Sequence, residues 1–171
     1  MSIEVSSNVS QTIDSPVGRL TIVACDEGIC NLHWQNRGVT SGDLFKICRK
    51  HNSADSSETH LEEAAAQLIE YFSGERQQFD LPLCLNGTSF QQRAWQALQT
   101  IPFGQTISYG EQAVILGNQK LSRAVGMANG ANPIPIIIPC HRVIASSGEL
   151  GGFTAGVEIK KVLLSIESQV H

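Results

Sequence analysis

The segment IIIPCHRVI, residues 136–144, is the sequence feature that most constrains the fold of this chain. Its three consecutive isoleucines predict a buried β-strand. Pro139 cannot donate a backbone hydrogen bond, so the strand is expected to end there and Cys140 to lie in a turn. The sequence thus places a nucleophilic thiol beside His141 and Arg142, at the end of the most hydrophobic stretch.

The distribution of charge divides the 171 residues into two halves. Residues 1–85 carry six Lys and Arg against twelve Asp and Glu, whereas residues 86–171 carry six against four. The mildly basic second half fits a modest contact with phosphate, but not tight non-specific DNA binding. Together with a linker predicted at residues 79–87, this distribution predicts two domains, 1–85 and 86–171.

The cysteines and the N-terminus indicate the compartment. Five cysteines without paired spacing are typical of reduced thiols, so we expect a cytoplasmic protein. The first residues show no signal peptide, and no apolar run is long enough to cross a membrane. Cys25 and Cys30 lie at the two ends of a predicted hairpin, but without two further ligands they favour no zinc site. We expect no metal and no cofactor.

The first half reads as strands followed by a helix. Residues 20–25 and 29–34 alternate in polarity and follow a turn at residues 15–18, which predicts a β-meander. Residues 38–59 are polar and predict a short helix and a loop. Residues 60–75 show helical spacing of apolar side chains and end at a Ser-Gly pair.

The second half predicts helices. Ser89 and Gln92 have capping-box spacing at the start of one helix, and Ser108 and Glu111 at the start of the next. After a turn at Gly117, a further helix spans residues 120–130. This pair indicates either a helix-turn-helix or an ordinary helical hairpin. A last helix, 157–168, is expected to bury its apolar side chains: Ile159, Val162, Leu163 and Ile166.

The predicted fold class is therefore α+β with two domains. The N-terminal domain has a small β-sheet with helices. The C-terminal domain is mostly helical, with a helix-turn-helix of the winged-helix type.

Cys140 is the candidate reactive group. A free thiol is only about 3% thiolate at neutral pH, so it needs a base or a cation to act as a nucleophile. His141 is that candidate base, and Glu167 is a candidate to hold its other ring nitrogen. The alternatives are that Cys140 is a small buried hydrophobe and that Glu167 is a solvated carboxylate. Tyr109 is either a packing residue or a hydroxyl in the site.

Five ordered blocks of the sequence carry a resemblance to a known family. They are GTSFQQRAWQAL (87–98), IPFGQTISYG (101–110), RAVGMANGANP (123–133), PCHRVI (139–144) and KKVLLSIE (160–167), and DSPVGRL (14–20) extends the likeness weakly. The chain resembles the O6-alkylguanine-DNA alkyltransferases, also called methylated-DNA–protein-cysteine methyltransferases. Its two-domain form, without an added metal-binding domain, looks like the constitutive bacterial type.

The resemblance implies stoichiometric DNA repair without a cofactor. In this family a cysteine, here Cys140, takes the alkyl group from O6 of a flipped guanine, and the protein is consumed. His141 would remove the thiol proton through a water, and Glu167 would orient His141. Asn132 would tie the segment after the helix pair to the active-site segment. Tyr109 would donate a proton or a hydrogen bond to the leaving guanine.

The resemblance also implies how DNA is bound. The partner would be double-stranded DNA containing O6-alkylguanine, and possible activity on O4-methylthymine stays open. The protein would act as a monomer. The second helix of the pair would lie in the minor groove, and Arg123 would fill the gap that the flipped base leaves. The implied DNA-contacting residues are Arg123, Tyr109, Lys120 and the small residues Ala124, Gly126 and Ala128. The implied pocket residues are Val143, Ser146 and Phe153.

The sequence departs from the family pattern at two places, and two other functions stay open. Residues 119–121 replace a usual proline and alanine-rich start of the helix, and Phe153 replaces a common tyrosine. Alternatives to repair are a regulator with a helix-turn-helix, in which Cys140 is structural, and a cysteine hydrolase using Cys140 and His141. Transfer of an alkyl group to the sulfur of Cys140 would distinguish DNA repair from both alternatives.

Overall fold

The computed structural model describes residues 9–35 and 54–169. The chain divides into two compact units, Met1–Asn86 and Gly87–His171. The stretch 38–59 was predicted to form a short helix and a loop, and its residues 38–53 lie outside the described residues. Within the described ranges, no helix is both long and apolar enough to cross a membrane.

The first unit contains an antiparallel three-stranded sheet in the order β1-β2-β3. Its strands are β1 (Val9–Ile13), β2 (Leu20–Cys25) and β3 (Gly28–Trp34). The predicted meander is confirmed, because β-branched and apolar residues alternate along both strands that flank the Asp-Glu-Gly turn. The apolar residues of β2 and β3 are almost entirely buried.

One long helix, α1 (Ala54–Phe72), covers this sheet. The prediction of a helix was right, but its predicted start at residue 60 was wrong. Residues 54–59 are polar and show no apolar periodicity, so the sequence pattern did not reveal the first turns. The buried side chains follow helical spacing: Leu61, Ala64, Ala65, Leu68 and Tyr71.

The segment before residue 87 packs along β3. The backbone amide of Ile29 donates to the carbonyl of Pro82 (2.8 Å), and the amide of Cys84 donates to the carbonyl of Ile29 (2.8 Å). Gly28 permits this approach, because its φ is +143° and a Cβ there would lie 2.2 Å from the Pro82 oxygen. The predicted linker is therefore a docked, extended segment.

The second unit is mostly helical, with one pair of two-residue parallel strands, β4 (Ile107–Ser108) and β5 (Val143–Ile144). Its α-helices are α2 (Ser89–Leu98), α3 (Tyr109–Ile115), α4 (Ser122–Gly130) and α5 (Val157–Gln169). A turn and the 3₁₀ helix Gln119–Leu121 connect α3 to α4. The predicted fold class is confirmed: a small N-terminal sheet with a helix, and a helical second half containing a helix pair.

The helix caps correct one detail of the prediction. The capping box of α2 is formed by Thr88 and Gln91, one residue before the predicted Ser89 and Gln92. Both pairs have the same spacing, and the structure uses the earlier one. The second predicted box is confirmed, because the Ser108 hydroxyl accepts from the amide of Glu111, and the Glu111 carboxylate accepts from the amide of Ser108.

A core of small side chains joins α2, α3 and α4. Its buried members are Ala94, Ala97, Ala113, Leu116, Val125 and Ala128. The indole of Trp95 is buried beside them and donates to the backbone carbonyl of Ala128 (2.8 Å). Alanines let the three helices approach closely, so the positions of α3 and α4 are well determined by packing.

Candidate active site

The isoleucine segment is buried, but the prediction of a strand was wrong. Residues 134–138 form a turn in which the amide of Ile138 donates to the carbonyl of Ile134 (2.9 Å), with a single bridge between Pro135 and Ile138. Ile136 has φ = +74°, which a β-branched residue rarely adopts. Full burial of Ile136 and Ile138 holds this conformation against its backbone strain.

Asn132 ties this turn to the end of α4. Its side-chain amide donates to the carbonyl of Ile138 (2.8 Å), and its side-chain oxygen accepts from the amide of Ile134 (3.0 Å). The backbone amide of Cys140 in turn donates to Ile138 (2.8 Å). The turn therefore fixes the backbone that carries the cysteine.

Cys140 begins the 3₁₀ helix Cys140–Arg142, directly after Pro139. The thiol is free and the residue is buried. Burial raises the pKa of the Cys140 thiol to about 11, and a hydrogen bond from Asn132 and the charge of Lys160 offset only part of that rise. The resting group is therefore a thiol, and its reaction requires removal of the proton.

His141 is buried and paired with Glu167. Its Nε2 lies 2.7 Å from Oε1 of the Glu167 carboxylate. Burial lowers the pKa of His141, although the hydrogen bond and charge of Glu167 oppose the shift. The imidazole is therefore neutral, and since a carboxylate only accepts, Nε2 carries the proton. Nδ1 is then an acceptor, and it is buried without a hydrogen-bond partner in the described part of the chain.

Arg142 is the second residue that holds Glu167, and the sequence reasoning did not assign it a role. Its guanidinium donates from Nε and Nη2 to the two oxygens of the Glu167 carboxylate, both at 2.9 Å, and from Nη1 to the carbonyl of Ile101 (2.7 Å). Burial alone would raise the pKa of Glu167, but the hydrogen bonds from His141 and Arg142 outweigh it and lower that pKa to about 2. Glu167 is therefore a buried, permanently charged carboxylate.

Lys160 is the other charged residue that the sequence reasoning missed. It is fully buried, and its ammonium donates to the backbone carbonyls of Val143 (2.6 Å), Leu150 and, at 3.4 Å, Gly152. Burial lowers the pKa of Lys160, and a negative charge on Cys140 would raise it. The lysine joins β5 to the loop at residues 150–152.

The inner face of α5 therefore differs from the predicted apolar face. The buried residues of this helix are Lys160, Leu163 and Glu167, whereas Val162 is exposed. The prediction for Val162 was wrong because the two charged side chains find hydrogen-bond partners inside and occupy the inward positions.

A cavity of about 320 Å³ opens above Cys140, a size that suits a small organic group. Burial raises the pKa of Tyr109 on its wall, and the charge of Cys140 adds to the rise, so the phenol keeps its proton. The structure brings Cys140, Tyr109 and Phe153 together at this cavity, and Gly126, which was predicted to contact DNA, lines it too. The complete lining is Tyr109, Gly126, Asn129, Gly130, Cys140, Gly152, Phe153 and Thr154.

Two predicted pocket residues do not line this cavity. Val143 is fully buried in β5, and its carbonyl is bound by Lys160. Ser146 is exposed and lines a neighbouring cavity, which shares Tyr109 with the first. Both lie close to Cys140 in sequence, but neither is part of the cavity lining.

The predicted DNA-contacting residues divide into exposed and buried ones. Arg123 and Lys120 are exposed and form no ion pair with any described residue, while Ala124 and Gly126 are half-buried. Ala128, which was expected to contact DNA, is instead buried in the three-helix core. The exposed residue on that part of α4 is instead Met127, which is 79% exposed.

Metal ligands are not grouped in the described ranges: no three His, Cys, Asp or Glu side chains come together there in a way that could hold an ion. Cys25 and Cys30 are buried and pack with Val23 and Cys84 in the first unit.

Models of one protein family match both halves of the chain. Residues 89–169 match the 6-O-methylguanine DNA methyltransferase DNA-binding domain, and residues 8–85 match the ribonuclease-like domain of the same proteins. The chain belongs to the 6-O-methylguanine DNA methyltransferase family. Its function is thereby direct repair of DNA by alkyl transfer.

Individual relatives agree over nearly the whole chain. The methylated-DNA–protein-cysteine methyltransferase of Mycobacterium tuberculosis (strain ATCC 25618 / H37Rv) is 45% identical over 157 residues, covering 92% of this chain and 90% of the relative. The constitutive enzyme of Bacillus subtilis (strain 168) is 41% identical, and the match covers 94% of this chain and 95% of the relative. A crystal structure of the M. tuberculosis protein in complex with DNA has a TM-score of 0.80 at 42% identity. The match covers 94% of this chain and 93% of that structure's chain.

Proposed function

We propose that this protein repairs O6-alkylguanine in double-stranded DNA by moving the alkyl group to the sulfur of Cys140. The observation that carries the proposal is the arrangement at one cavity: a buried thiol at Cys140, followed directly by a neutral histidine held by the charged Glu167. The names of the relatives support the substrate, and the family models support the reaction.

The first step is removal of the thiol proton. Nδ1 of His141 is the acceptor, and a bridging water carries the proton from the thiol. The imidazolium that forms is stabilised by the carboxylate of Glu167, which Arg142 keeps charged and fixed in place. Asn132 and Lys160 favour the negative charge on the sulfur.

The second step is displacement at the alkyl carbon. The sulfur lone pair forms the S–C bond as the C–O6 bond breaks, and its electron pair stays on the guanine oxygen. Tyr109, with its proton retained at neutral pH, donates a hydrogen bond or the proton to the leaving base. The proton on His141 then returns through solvent to Tyr109, or to the guanine where Tyr109 gave only a hydrogen bond. The net change is therefore the alkyl group moved from oxygen to sulfur and the thiol proton moved to the guanine.

The product limits each chain to one reaction. The alkyl group is held in a thioether, and water has no route to hydrolyse a thioether comparable to that of a thioester. The damaged base must also leave the duplex to reach the cavity, at a cost of a few kcal/mol. The reaction needs reduced Cys140, which supports a cytoplasmic location. Each group of the proposed mechanism comes from one copy of the chain, which supports a monomer.

The proposed DNA-contacting surface is centred on α4. Arg123 is exposed at its start and would fill the gap left by the flipped base, while Lys120 would contact a phosphate. Ala124 and Gly126 allow close approach of the duplex. We propose that the unit Gly87–His171 performs DNA binding and transfer, and that Met1–Asn86 supports it.

The stoichiometry of repair tests this function. The protein is incubated with an excess of duplex carrying a single radiolabelled O6-methylguanine, and the label on protein and DNA is counted over time. One methyl group per chain on the protein, with no further loss from DNA, is the expected result. DNA binding without transfer would favour the regulator, and repeated turnover with release of the methyl group would favour a hydrolase.

A further inference from the structure

The helix pair contains a buried pair of side-chain amides. Gln112 of α3 donates to the side-chain oxygen of Asn129 of α4 (3.0 Å), and Asn129 donates back to the side-chain oxygen of Gln112 (2.8 Å). Gln112 also donates to the backbone carbonyl of Ala94 in α2 (3.2 Å). Gln112 is fully buried and Asn129 is 6% exposed. The two amides therefore connect three helices.

The surroundings of this amide pair are apolar. Ala113 follows Gln112 and Ala128 precedes Asn129 in the chain, and both alanines are buried in the small-residue core. An unsatisfied amide here would cost roughly 1–3 kcal/mol, whereas two apolar side chains of similar size would be nearly neutral. The reciprocal hydrogen bonds form in only one relative position of α3 and α4. Positional specificity, rather than stability, is what this pair adds over an apolar one.

Both members of the pair are connected to the wall of the Cys140 cavity. Asn129 lines that cavity itself, and Tyr109 lies one turn before Gln112 on α3, so that the two side chains share a face. The next residue, Gly130, also lines the cavity, and its carbonyl accepts from the hydroxyl of Thr154 (3.1 Å). A shift of α4 against α3 would thus move Asn129 and Gly130 relative to Tyr109 and change the shape of the cavity.

We propose that Gln112 and Asn129 are positioning residues for alkyl transfer: their amide pair fixes Tyr109 and the α4 wall relative to Cys140. This inference rests on the proposed function. The pair does not touch the reacting atoms. It holds the hydroxyl of Tyr109 and the cavity wall in the geometry in which the alkyl carbon faces the sulfur, and small misplacements of this kind cost large factors in rate.

The test uses the full-length protein under single-turnover conditions with a methylated duplex. Gln112→Leu removes the amide from α3 while leaving the residues of the cavity wall unchanged. The first-order rate at saturating duplex is expected to fall roughly tenfold, and the duplex concentration giving half that rate to change less than about twofold. If the amide pair contributed to DNA binding alone, the duplex concentration giving half the rate would change and the rate at saturating duplex would not.

A double variant separates positioning from folding. Gln112→Leu with Asn129→Leu replaces both amides by apolar groups and is expected to unfold at a temperature at or above that of the wild type. We expect it to transfer roughly tenfold more slowly all the same. It also replaces the single variant if leaving Asn129 unpaired prevents folding.

The matched control is Leu116→Ala, in the same core but outside the cavity wall. It should lower the melting temperature and leave the rate per folded molecule unchanged. Wild-type rates in both amide variants would overturn the inference while the function stands. Equal slowing by Leu116→Ala would also overturn it, because any loosening of the core would then suffice. A wild-type protein that transfers no methyl group would overturn the proposed function and this inference together.

Discussion

Helices α1 and α5 both bury one face, but they bury different chemistry. The inner face of α1 is mostly apolar, with Leu61, Leu68 and Tyr71 almost or completely buried, and it carries no buried charge in the part whose side chains the structure describes. The inner face of α5 buries Lys160 and Glu167 on either side of Leu163. Burial of an apolar face stabilises a helix directly, whereas burial of charges costs free energy unless each is paired.

The difference shows where function constrains the fold. Every oxygen of Glu167 and the ammonium of Lys160 has a hydrogen-bond donor or acceptor in the same unit. Such a buried network is weak evidence for stability, since apolar replacements are often as stable. We infer that α1 is selected for packing and α5 for the geometry and charge around Cys140. The following predictions test that distinction.

The largest effect is expected from Glu167→Gln. The neutral amide no longer stabilises the imidazolium of His141, so the transfer rate from a methylated duplex should fall roughly 10²-fold or more. It also leaves the buried guanidinium of Arg142 without its counter-ion, which should lower the free energy of unfolding by about 3–5 kcal/mol. Single-turnover kinetics and urea unfolding measure the two effects. A rate close to that of the wild type would remove Glu167 from the mechanism.

A smaller effect on rate is expected from Lys160→Met, which retains much of the buried length. The carbonyls of Val143, Leu150 and Gly152 lose their shared donor. The cavity loop should loosen and transfer should slow roughly tenfold. Faster hydrogen exchange at residues 150–152 checks the structural cause, and a slow variant whose loop exchanges as in the wild type would point to the charge instead.

For α1 the prediction is an effect on stability alone. Leu68→Ala removes a fully buried side chain and should lower the free energy of unfolding by about 2–5 kcal/mol, measured by urea denaturation. The transfer rate per folded molecule should stay within about twofold of the wild type, because Leu68 lies outside the unit that contains Cys140. A selective loss of rate would show that α1 takes part in the reaction.

The smallest effect is expected from pH. The pKa of Glu167 is about 2 in the folded protein against an ordinary 4.5, so its contribution to stability is complete above pH 4.5 and is lost as the pH falls towards 2. The pKa of His141 is lowered, so stability also declines as the pH falls below 6.5. Urea unfolding across this range should show a weaker decline below pH 4.5 for Glu167→Gln. Parallel curves would contradict the assigned pKa of Glu167.

The elements that the sequence predicted well are those set by local pattern. Alternation along residues 20–25 and 29–34 was enough for both strands, and the Ser108–Glu111 box was enough for the start of α3. The cap of α2 was off by one residue because Thr88 and Ser89 each precede a glutamine at the required spacing. The two candidate capping boxes have the same local pattern, so only tertiary contacts decide between them.

The parts that the sequence did not predict depend on distant partners. Three isoleucines favour a strand locally, but full burial and the hydrogen bonds of Asn132 hold them in a turn with Ile136 at positive φ. Lys160 and Arg142 are charged, and on pattern alone a charged residue indicates surface. Their partners lie 8 to 41 residues away in sequence, so no local periodicity marks them.

The most direct test of the central claim, that Cys140 accepts the alkyl group, is mass spectrometry of the intact protein and its peptides after incubation with a duplex carrying one O6-methylguanine. The wild-type protein should gain the mass of one methyl group, located on the peptide that contains Cys140. Cys140→Ala should gain none while still binding the duplex. A methyl group on any other residue, or a gain in mass by Cys140→Ala, would contradict the account.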